Sequence, residues 1–286
     1  MPYGLSTAPA TFSRAISIAL SGLTYETCLC YFDDVLIFSK DIDQHCQRLH
    51  AVLQRFREQN LRVQASKCSF GVDSVLYLGH TVSKEGIHTD PSKIRAVHVI
   101  PAPSSLEALR SFLGLPGYYR RFIPQFSTIA APLTDLSKKY VRFVWTDVHE
   151  GAFQKLKLCL CSAPILAYPR FDKPFILQTD ASDVGLGAVL AQLDETGHER
   201  VLAYASRTLS GREGNYTTME KEALAVVFAT EHFRVYLLGR KFCLVTDNSA
   251  LKWLHSVQPN GRIARWIMDL QQFYCQASTW WLQSEC

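Results

Sequence analysis

Two short apolar segments in the second half of the chain end in the same way, and the stretch between them has the pattern of a long helix. The segments are ILQTD, which ends at Asp180, and CLVTD, which ends at Asp247. Thr217 and Glu220 have the spacing of a capping box, and apolar residues then recur at helical intervals as far as Leu237. Because a helical crossover makes the strands that it connects parallel, the sequence predicts an α/β sheet in which the two segments are parallel neighbours.

Three carboxylates are expected to meet at one edge of this sheet. Asp180 and Asp247 lie where the two strands end, and open α/β sheets place their sites at the carboxyl ends of strands. Glu222 lies one turn into the intervening helix, at the edge of its buried face. Three acids without a basic partner repel one another, and a divalent cation such as Mg²⁺ would stabilise the cluster. Each acid alone is better explained as a cap or turn residue, so the predicted metal site depends on all three converging.

A second acidic motif lies near the start of the chain, between two apolar runs. In LCYFDDVLIFS, residues 29–39, the flanks Cys28–Phe32 and Val35–Phe38 have the length and composition of core strands. They predict a hairpin with Asp33 and Asp34 at its tip. Aspartate is also common in turns for local reasons alone, so from this motif the pair is either an ordinary turn or a functional site.

The segments that follow the hairpin predict an α+β module. A helix is predicted over residues 41–60, with Asn60 as its stop, and short strands are predicted over 61–70 and 75–87. With the hairpin, these elements form a module that ends near residue 83.

The middle of the chain is predicted to be mainly helical, and the last part to contain the α/β sheet. Ser104 and Glu107 have capping-box spacing before an apolar helix face, and Gly114 to Gly117 are expected to end that helix. In the last part a strand over Phe175 to Thr179 is predicted to lead into a turn around Gly185 and Gly187. The fold class is therefore multidomain, with α+β and α/β parts.

Positive charge is concentrated in the middle segment. Residues 84–142 contain nine Lys or Arg and four Asp or Glu, a net +5, whereas the whole chain carries +4. The motif GYYRRF brings Tyr118, Tyr119, Arg120 and Arg121 together, and aromatic residues among arginines are typical of nucleic-acid binding. A solvated helix face explains the same charges without a ligand, and charge alone leaves both explanations open.

Composition argues against several other classes of protein. No apolar run approaches the roughly 20 residues that span a bilayer, and the N-terminal segment lacks the pattern of a secretory signal. The nine cysteines include no C-x-x-C pair, so neither a zinc site nor a disulfide framework is predicted. We expect an intracellular protein with reduced thiols, in the cytoplasm or the nucleus, without a membrane partner.

A series of motifs resembles one known family in order along about the first 273 residues. The family is the Pol polyprotein of gypsy-type long-terminal-repeat retrotransposons, in its polymerase and ribonuclease H portion. The motifs that carry the resemblance are MPYGLSTAPATF, YFDD, LGHTVSKEGI, LRSFLGLPGYYRRFIPQFS, TDASDVGLGAVLAQ, NYTTMEKEALAVV and TDNSALKWL. The resemblance implies a partial reverse transcriptase palm over residues 1–83, a helical thumb and connection over 84–165, and a ribonuclease H-like mixed sheet with helices over 166–286.

The resemblance also implies roles for single residues. Asp33 and Asp34 would be catalytic ligands of the polymerase metals, and Asp180, Glu222 and Asp247 those of the ribonuclease H metals, with Mg²⁺ as the cofactor and Mn²⁺ as an alternative. Five further residues would lie around the nucleotide and primer, or are ordinary loop and strand residues: Tyr3 and Gly4 near the incoming nucleotide, Lys67 near its phosphates, and Gly79 and His80 at the primer end.

The expected function is RNA-directed DNA synthesis together with ribonuclease H cleavage of RNA–DNA hybrids. The partners would be an RNA template, a DNA primer, RNA–DNA hybrids, deoxynucleoside triphosphates and the rest of a Pol polyprotein. The sequence also departs from the family: a further palm aspartate would lie upstream of residue 1, Asn248 stands where a histidine is usual, and YCQASTWWLQSEC replaces an expected strand and helix. We therefore expect impaired activity of this chain alone, and the alternative is a non-catalytic remnant that at most binds nucleic acid.

Overall fold

The structure is a computed structural model that describes residues 6–246 and 262–279. Four residues that the sequence singles out, Tyr3, Gly4, Asp247 and Asn248, lie outside the described residues.

The chain divides into two compact units, Met1–Lys84 and Glu85–Cys286. The second unit contains all but the first residue of the segment predicted as thumb and connection, 84–165, and the whole segment predicted as ribonuclease H-like, 166–286. The division between those two segments therefore stays a prediction.

The first unit combines two helices with two β-hairpins. In chain order its elements are α1 (Ala8–Ala19), β1 (Cys28–Tyr31), β2 (Asp34–Ile37), α2 (Ile42–Glu58), β3 (Ser74–Tyr77) and β4 (His80–Ser83). Strands β1 and β2 pair antiparallel, as predicted from the apolar flanks of the acidic motif. The core of the unit is formed by buried residues of α1 and its C-cap, of β1 and of α2: Ile16, Leu20, Cys28 and Val52.

The helix predicted over residues 41–60 is confirmed as α2. Its N-cap is Asp41, whose side chain accepts a hydrogen bond from the Gln44 N–H at 2.8 Å. The strand predicted over 61–70 is wrong, because that segment contains only a short 3₁₀ helix, Ala65–Lys67. Residues 62–67 are all exposed, so the segment has no apolar face that a sheet could bury.

The second unit contains helices and a mixed sheet. In chain order its elements are β5 (Gly86–Thr89), α3 (Pro91–Val99), α4 (Leu106–Tyr118), α5 (Phe126–Leu136), α6 (Asp147–Cys161), β6 (Phe175–Ala181), β7 (Gly185–Leu193), β8 (Glu199–Thr208), α7 (Thr218–His232), α8 (Arg234–Leu237), β9 (Lys241–Thr246), α9 (Arg262–Leu270) and β10 (Tyr274–Thr279). Among the described residues the sheet has five strands in the order β10, β9, β6, β7, β8.

The predicted parallel pair is confirmed. Strands β6 and β9 run parallel as neighbours. Helix α7 lies between β8 and β9 in chain order and packs against β6 and β7. The capping box of Thr217 and Glu220 is present at the start of α7. The main core lies between α7 and one face of the sheet and includes Phe175, Leu177, Leu190, Val226 and Leu244.

Three local predictions for this unit are wrong. The N-cap of α4 is Ser105, not Ser104; its hydroxyl accepts from the Ala108 N–H at 3.2 Å. Helix α4 continues past Gly114 to Tyr118, because burial of its apolar face outweighs the low helix propensity of glycine and proline. The turn expected at Gly185 and Gly187 lies just before them, and both glycines belong to β7.

The chain's last described element is a further correction. The sequence YCQASTWWLQSEC departs from the family pattern, and we expected no further strand there. Residues Tyr274–Thr279 nevertheless form β10, which pairs in parallel with β9 along its length. Backbone pairing at a sheet edge depends on main-chain N–H and C=O groups, so it tolerates side chains that do not match a motif.

Helices of the middle segment cover the second face of the sheet. The 3₁₀ helix Arg120–Phe122 and helix α5 both contact β8. Around them lies a buried cluster formed by Val97, Tyr119, Phe122, Ile123, Leu160 and Leu166. Within residues 6–246 and 262–279, each helix is too short or too polar to cross a lipid bilayer.

Candidate active site

The first acidic motif lies at the tip of the β1–β2 hairpin, as predicted. The ladder ends where Tyr31 faces Asp34, so Phe32 and Asp33 form a two-residue loop. Phe32 has a φ of 52°, a left-handed conformation that bulky residues rarely adopt and that is common at functional turns. Asp33 and Asp34 are both exposed. The hairpin therefore presents two adjacent carboxylates to solvent on a constrained turn.

The two carboxylates influence the ionisation of their neighbours. Burial raises the pKa of the Cys30 thiol, and the negative charges of Asp33 and Asp34 raise it further. Burial also raises the pKa of the Tyr77 hydroxyl, with smaller contributions from Cys30 and Asp34. Tyr77 is the last residue of β3. The end of the second hairpin of this unit therefore lies within range of the negative charge at the acidic tip.

Three of the residues expected around the nucleotide and primer lie in the described part of the chain. Lys67 is exposed at the end of its 3₁₀ helix. Gly79 and the preceding Leu78, with φ of 69° and 47°, form the two-residue loop between β3 and β4, as in a type I′ hairpin. The Nδ1 atom of His80 lies 2.9 Å from the Leu78 carbonyl oxygen. These positions suit either explanation, so their roles stay predictions.

The second acidic site lies at the carboxyl end of β6. Asp180 is exposed there, near the end of the strand. Strand β9 runs beside β6 in the same direction, with Val245 opposite Gln178. The sheet edge at which two acids were expected to meet therefore exists, and its second acid, Asp247, lies outside the described residues.

One hydrogen bond to Asp180 was not anticipated from the sequence. The side-chain amide Nε2 of Gln125 donates to Asp180 Oδ2 at 3.2 Å. Gln125 is the N-cap of α5 and has a φ of 48°. Its side chain crosses over Gly187, the β7 residue paired with Asp180, and a Cβ at Gly187 would lie 3.8 Å from Gln125 Cγ. The two bonded residues are 55 positions apart in sequence, and no spacing rule connects them.

The start of α5 is fixed to the sheet next to this bond. Ser206 Oγ accepts hydrogen bonds from the backbone N–H of Ser127 at 2.9 Å and from its hydroxyl at 3.1 Å. Arg120 donates from Nη2 to the Ser206 carbonyl oxygen. Ser206 pairs with Gly187 in the β7–β8 ladder, and Gly187 pairs with Asp180. The three residues therefore form one row across the sheet, beneath the first turn of α5.

The remaining acid of the predicted cluster is on α7. Glu222 is 4% exposed and lies in the part of α7 that packs against the sheet. The sequence predicts acids without a basic neighbour, but Lys221 is also buried, and its Nζ donates to Asp183 Oδ1 at 2.7 Å. This bond lowers the pKa of Asp183. It pairs the positive charge of Lys221 with a carboxylate that is not one of the three predicted ligands.

A divalent metal such as Mg²⁺ needs several oxygen ligands that lie close together. In the described ranges, no group of three His, Cys, Asp or Glu side chains is arranged to hold a metal ion, and the third predicted ligand lies outside them. Asp180 nonetheless offers an exposed carboxylate, and the hairpin offers two. Oxygen ligands of this kind suit Mg²⁺ and Mn²⁺, so the described residues are compatible with the expected cofactor.

The basic aromatic motif divides between the core and the surface. Tyr119 is 0% exposed, and its hydroxyl accepts from the Asp90 N–H at 3.3 Å, so the prediction that it binds nucleic acid is wrong. Arg121 is half-buried and donates to the Leu202 carbonyl oxygen of β8 at 3.5 Å, and its role in binding nucleic acid stays a prediction. Tyr118 is 47% exposed. Arg120 is also exposed, although it donates to β8 as well.

A cleft of about 360 Å³ opens beside Asp180 on the face of the sheet that α5 covers. It is lined by Pro124, Gln125, Gln178, Thr179, Asp180, Gly187, Ala188, Val189 and Tyr204. The cleft gives solvent access to the Asp180 carboxylate along the row that Gly187 leaves open.

Two family models match the chain. The model described as reverse transcriptase (RNA-dependent DNA polymerase) matches residues 1–82, and the model described as RNase H-like domain found in reverse transcriptase matches residues 170–273. The first match contains the acidic hairpin, and the second contains strands β6 to β9 of the sheet but not β10, which begins at Tyr274.

Curated relatives are similar over nearly the whole chain. The retrovirus-related Pol polyprotein from transposon 297 of Drosophila melanogaster is 42% identical over 275 residues, which is 96% of this chain and 26% of the relative. The corresponding protein from transposon opus of the same organism is 38% identical, over 96% of this chain and 29% of the relative. The transposon Tf2-3 polyprotein of Schizosaccharomyces pombe is 37% identical, over 96% and 21%. The chain thus spans about a quarter of the length of these relatives.

Solved structures share the fold. A foamy viral protease-reverse transcriptase dRH in complex with double-stranded DNA has a TM-score of 0.83 and 22% identity, covering 97% of this chain and 50% of that one. The foamy viral protease-reverse transcriptase in complex with an RNA/DNA hybrid has a TM-score of 0.79 and 22% identity, covering 98% and 38%. The mixed α and β fold class predicted from the sequence is confirmed by these likenesses.

Proposed function

This chain belongs to the retrotransposon Pol polyprotein family and carries its reverse transcriptase and ribonuclease H-like regions, and from that premise we propose that it takes part in RNA-directed DNA synthesis and in cleavage of the RNA strand of RNA–DNA hybrids. The observation that carries the hydrolytic half is the position of Asp180. Its exposed carboxylate lies at the carboxyl end of β6, beside the end of a parallel strand and next to an open cleft. The exposed pair Asp33 and Asp34 on its constrained turn supports the polymerase half.

The proposal assigns the acids to two metal sites. Asp33 and Asp34 would hold Mg²⁺, or Mn²⁺ in its place, at the hairpin, and Asp180, Glu222 and Asp247 would hold it at the sheet edge. A bound pair of cations stabilises the attacking and leaving oxygens of a phosphoryl transfer. The chain's own contribution is to present the carboxylates on rigid strands and to leave the cleft beside Asp180 open to the scissile strand.

The proposed partners follow from this assignment. They are an RNA template, a DNA primer, RNA–DNA hybrids and deoxynucleoside triphosphates, with the rest of a Pol polyprotein as a covalent or bound partner. The proposed location is intracellular, in the cytoplasm or nucleus. Activity of the whole polyprotein, and impaired activity of this chain by itself, are parts of the same proposal.

A second candidate function is nucleic-acid binding without catalysis. The observation that favours it is the exposed ring of Tyr118, which lies 5.4 Å from the ammonium of Lys93 within the basic middle segment. An exposed aromatic ring beside a cation can stack on a base while the cation neutralises a phosphate. Under this alternative, the acids at the hairpin and at the sheet edge have structural roles only.

The deciding experiment is release of RNA from a labelled RNA–DNA duplex in the presence of Mg²⁺. Wild type and Asp180→Asn are compared, with Asp172→Asn as the matched control, because Asp172 is an exposed aspartate paired with Arg170. Because this chain by itself is expected to be impaired, the variants are compared in a longer Pol product that contains it, and we expect cleavage that Asp180→Asn abolishes and Asp172→Asn preserves. Equal signals from wild type and Asp180→Asn would refute the hydrolytic proposal. Primer extension tests the polymerase half: we expect no measurable synthesis by this chain alone, and synthesis by the longer Pol product that Asp33→Asn abolishes.

A further inference from the structure

We infer that Gln125 is a positioning residue for Asp180: its side-chain amide fixes the carboxylate in the orientation that binds the metal. The inference rests on the proposed metal-binding role of Asp180. It concerns a residue outside the matched ribonuclease H-like region, which begins at residue 170. The site would then be completed by a residue from the helical segment that precedes this region.

The hydrogen bond leaves room for a cation. Gln125 Nε2 donates to Asp180 Oδ2 at 3.2 Å. A carboxylate has about four lone-pair positions, so one amide donor still leaves the other oxygen available to a metal. Partners of this kind hold a ligand in one rotamer, and their loss typically weakens metal binding by about 10- to 100-fold.

The position of Gln125 is itself fixed by the fold. Two residues further on, Ser127 makes two hydrogen bonds to Ser206 Oγ, both in a buried environment. Ser206, Gly187 and Asp180 form one row across three strands. Ser206, which holds Ser127, and Asp180, which accepts from Gln125, therefore belong to the same sheet. The first turn of α5 contacts both.

Gly187 gives the glutamine side chain its path. A Cβ at this position would lie 3.8 Å from Gln125 Cγ, which is ordinary contact, and a branched side chain would fill the space that the glutamine crosses. The sequence thus combines a side chain long enough to reach Asp180 with a residue between them that has no side chain.

The test uses the full chain with a near-isosteric variant, Gln125→Met, which keeps the side-chain volume and removes the donor. The matched control is Gln154→Met, because Gln154 makes the same kind of bond, from Nε2 to Glu150 Oε1 at 2.8 Å, on α6. Mn²⁺ binding is measured by the electron paramagnetic resonance signal of the free ion. We expect Gln125→Met to weaken the Asp180-dependent binding about tenfold and Gln154→Met to leave it unchanged.

A second measurement needs neither metal nor activity. In metal-free protein labelled with ¹⁵N-glutamine, the side-chain amide signal of Gln125 is identified by its absence from Gln125→Met. We expect Asp180→Asn to shift this signal and to leave that of Gln154 in place. Circular dichroism melting of each variant verifies that it is folded.

The outcomes separate this inference from the proposed function. An amide signal that Asp180→Asn does not move, Mn²⁺ binding that is equal in Gln125→Met and wild type, or Mn²⁺ binding independent of Asp180 would each overturn the inference. Increased hybrid cleavage by Gln125→Met would overturn it too, because the side chain would then obstruct the site. If cleavage does not depend on Asp180, the proposed function fails, while the Mn²⁺ and amide measurements still decide the role of Gln125.

Discussion

Removing the hydroxyl of Ser206 is expected to release the first turn of α5 from the sheet. Ser206 is 2% exposed, and its Oγ accepts from both the backbone N–H and the hydroxyl of Ser127. In Ser206→Ala both donors lose their partner in a buried place, and each unsatisfied group costs about 1–3 kcal/mol. Because the hydroxyl can rotate towards another acceptor, we expect a loss of about 2–4 kcal/mol in the local free energy of opening.

The matched variant is Ser127→Ala, which removes one hydroxyl and keeps the backbone bond to Ser206. It should cost only about 1 kcal/mol, the net worth of a single hydrogen bond. The assay is hydrogen exchange followed by mass spectrometry, comparing peptides that cover residues 120–133 with peptides from β6 and β7. Equal effects of the two variants, or a change below about 0.5 kcal/mol in Ser206→Ala, would refute the reasoning.

Three further predictions concern stability and binding. Gly86→Ala should strongly destabilise the chain in denaturant titrations, because Gly86 has a φ of 142° and an added Cβ would lie 2.3 Å from the Leu166 carbonyl oxygen; a midpoint equal to that of wild type would contradict this. The hydrogen bonds from Arg207 lower the pKa of Glu213 to about 2, so the pair should contribute at most about 3 kcal/mol above pH 4.5, lost as the pH falls towards 2. Glu213→Gln should therefore flatten the acid limb of stability against pH, and an unchanged limb would argue against the pair. Tyr118→Ala should weaken binding of single-stranded RNA several-fold in fluorescence anisotropy, and unchanged affinity would exclude the stacking role.

Elements that depend on local sequence were predictable. The hairpin around Asp33 follows from two apolar runs and a two-residue turn, and the start of α7 follows from the spacing of Thr217 and Glu220. The parallel pairing of β6 and β9 follows from the crossover rule, which depends only on the order of elements. In each case the deciding interaction lies within a few residues or is imposed by chain connectivity.

What depends on distant packing was not predictable. Tyr119 and Tyr118 are adjacent and identical in type, yet one is in the core and one is exposed, because only the tertiary arrangement decides which side of α4 is covered. The bond from Gln125 to Asp180 joins residues 55 positions apart, and either residue taken alone reads as an ordinary cap. Strand β10 was missed because pairing at a sheet edge needs backbone groups more than a matching side-chain pattern.

The sheet's second face is covered by residues that precede the matched ribonuclease H-like region, and this has a consequence for anyone who wishes to excise or graft that region. Tyr119, Phe122 and Ile123 are buried in a cluster against which Val201 and Tyr204 of β8 pack. A fragment that begins at residue 170 would expose the side chains of Val201 and Tyr204 to solvent, and it would be prone to aggregate. Recombination between related elements should preserve this packing more often when the breakpoint precedes the covering helices, because the helices and the sheet are then inherited together.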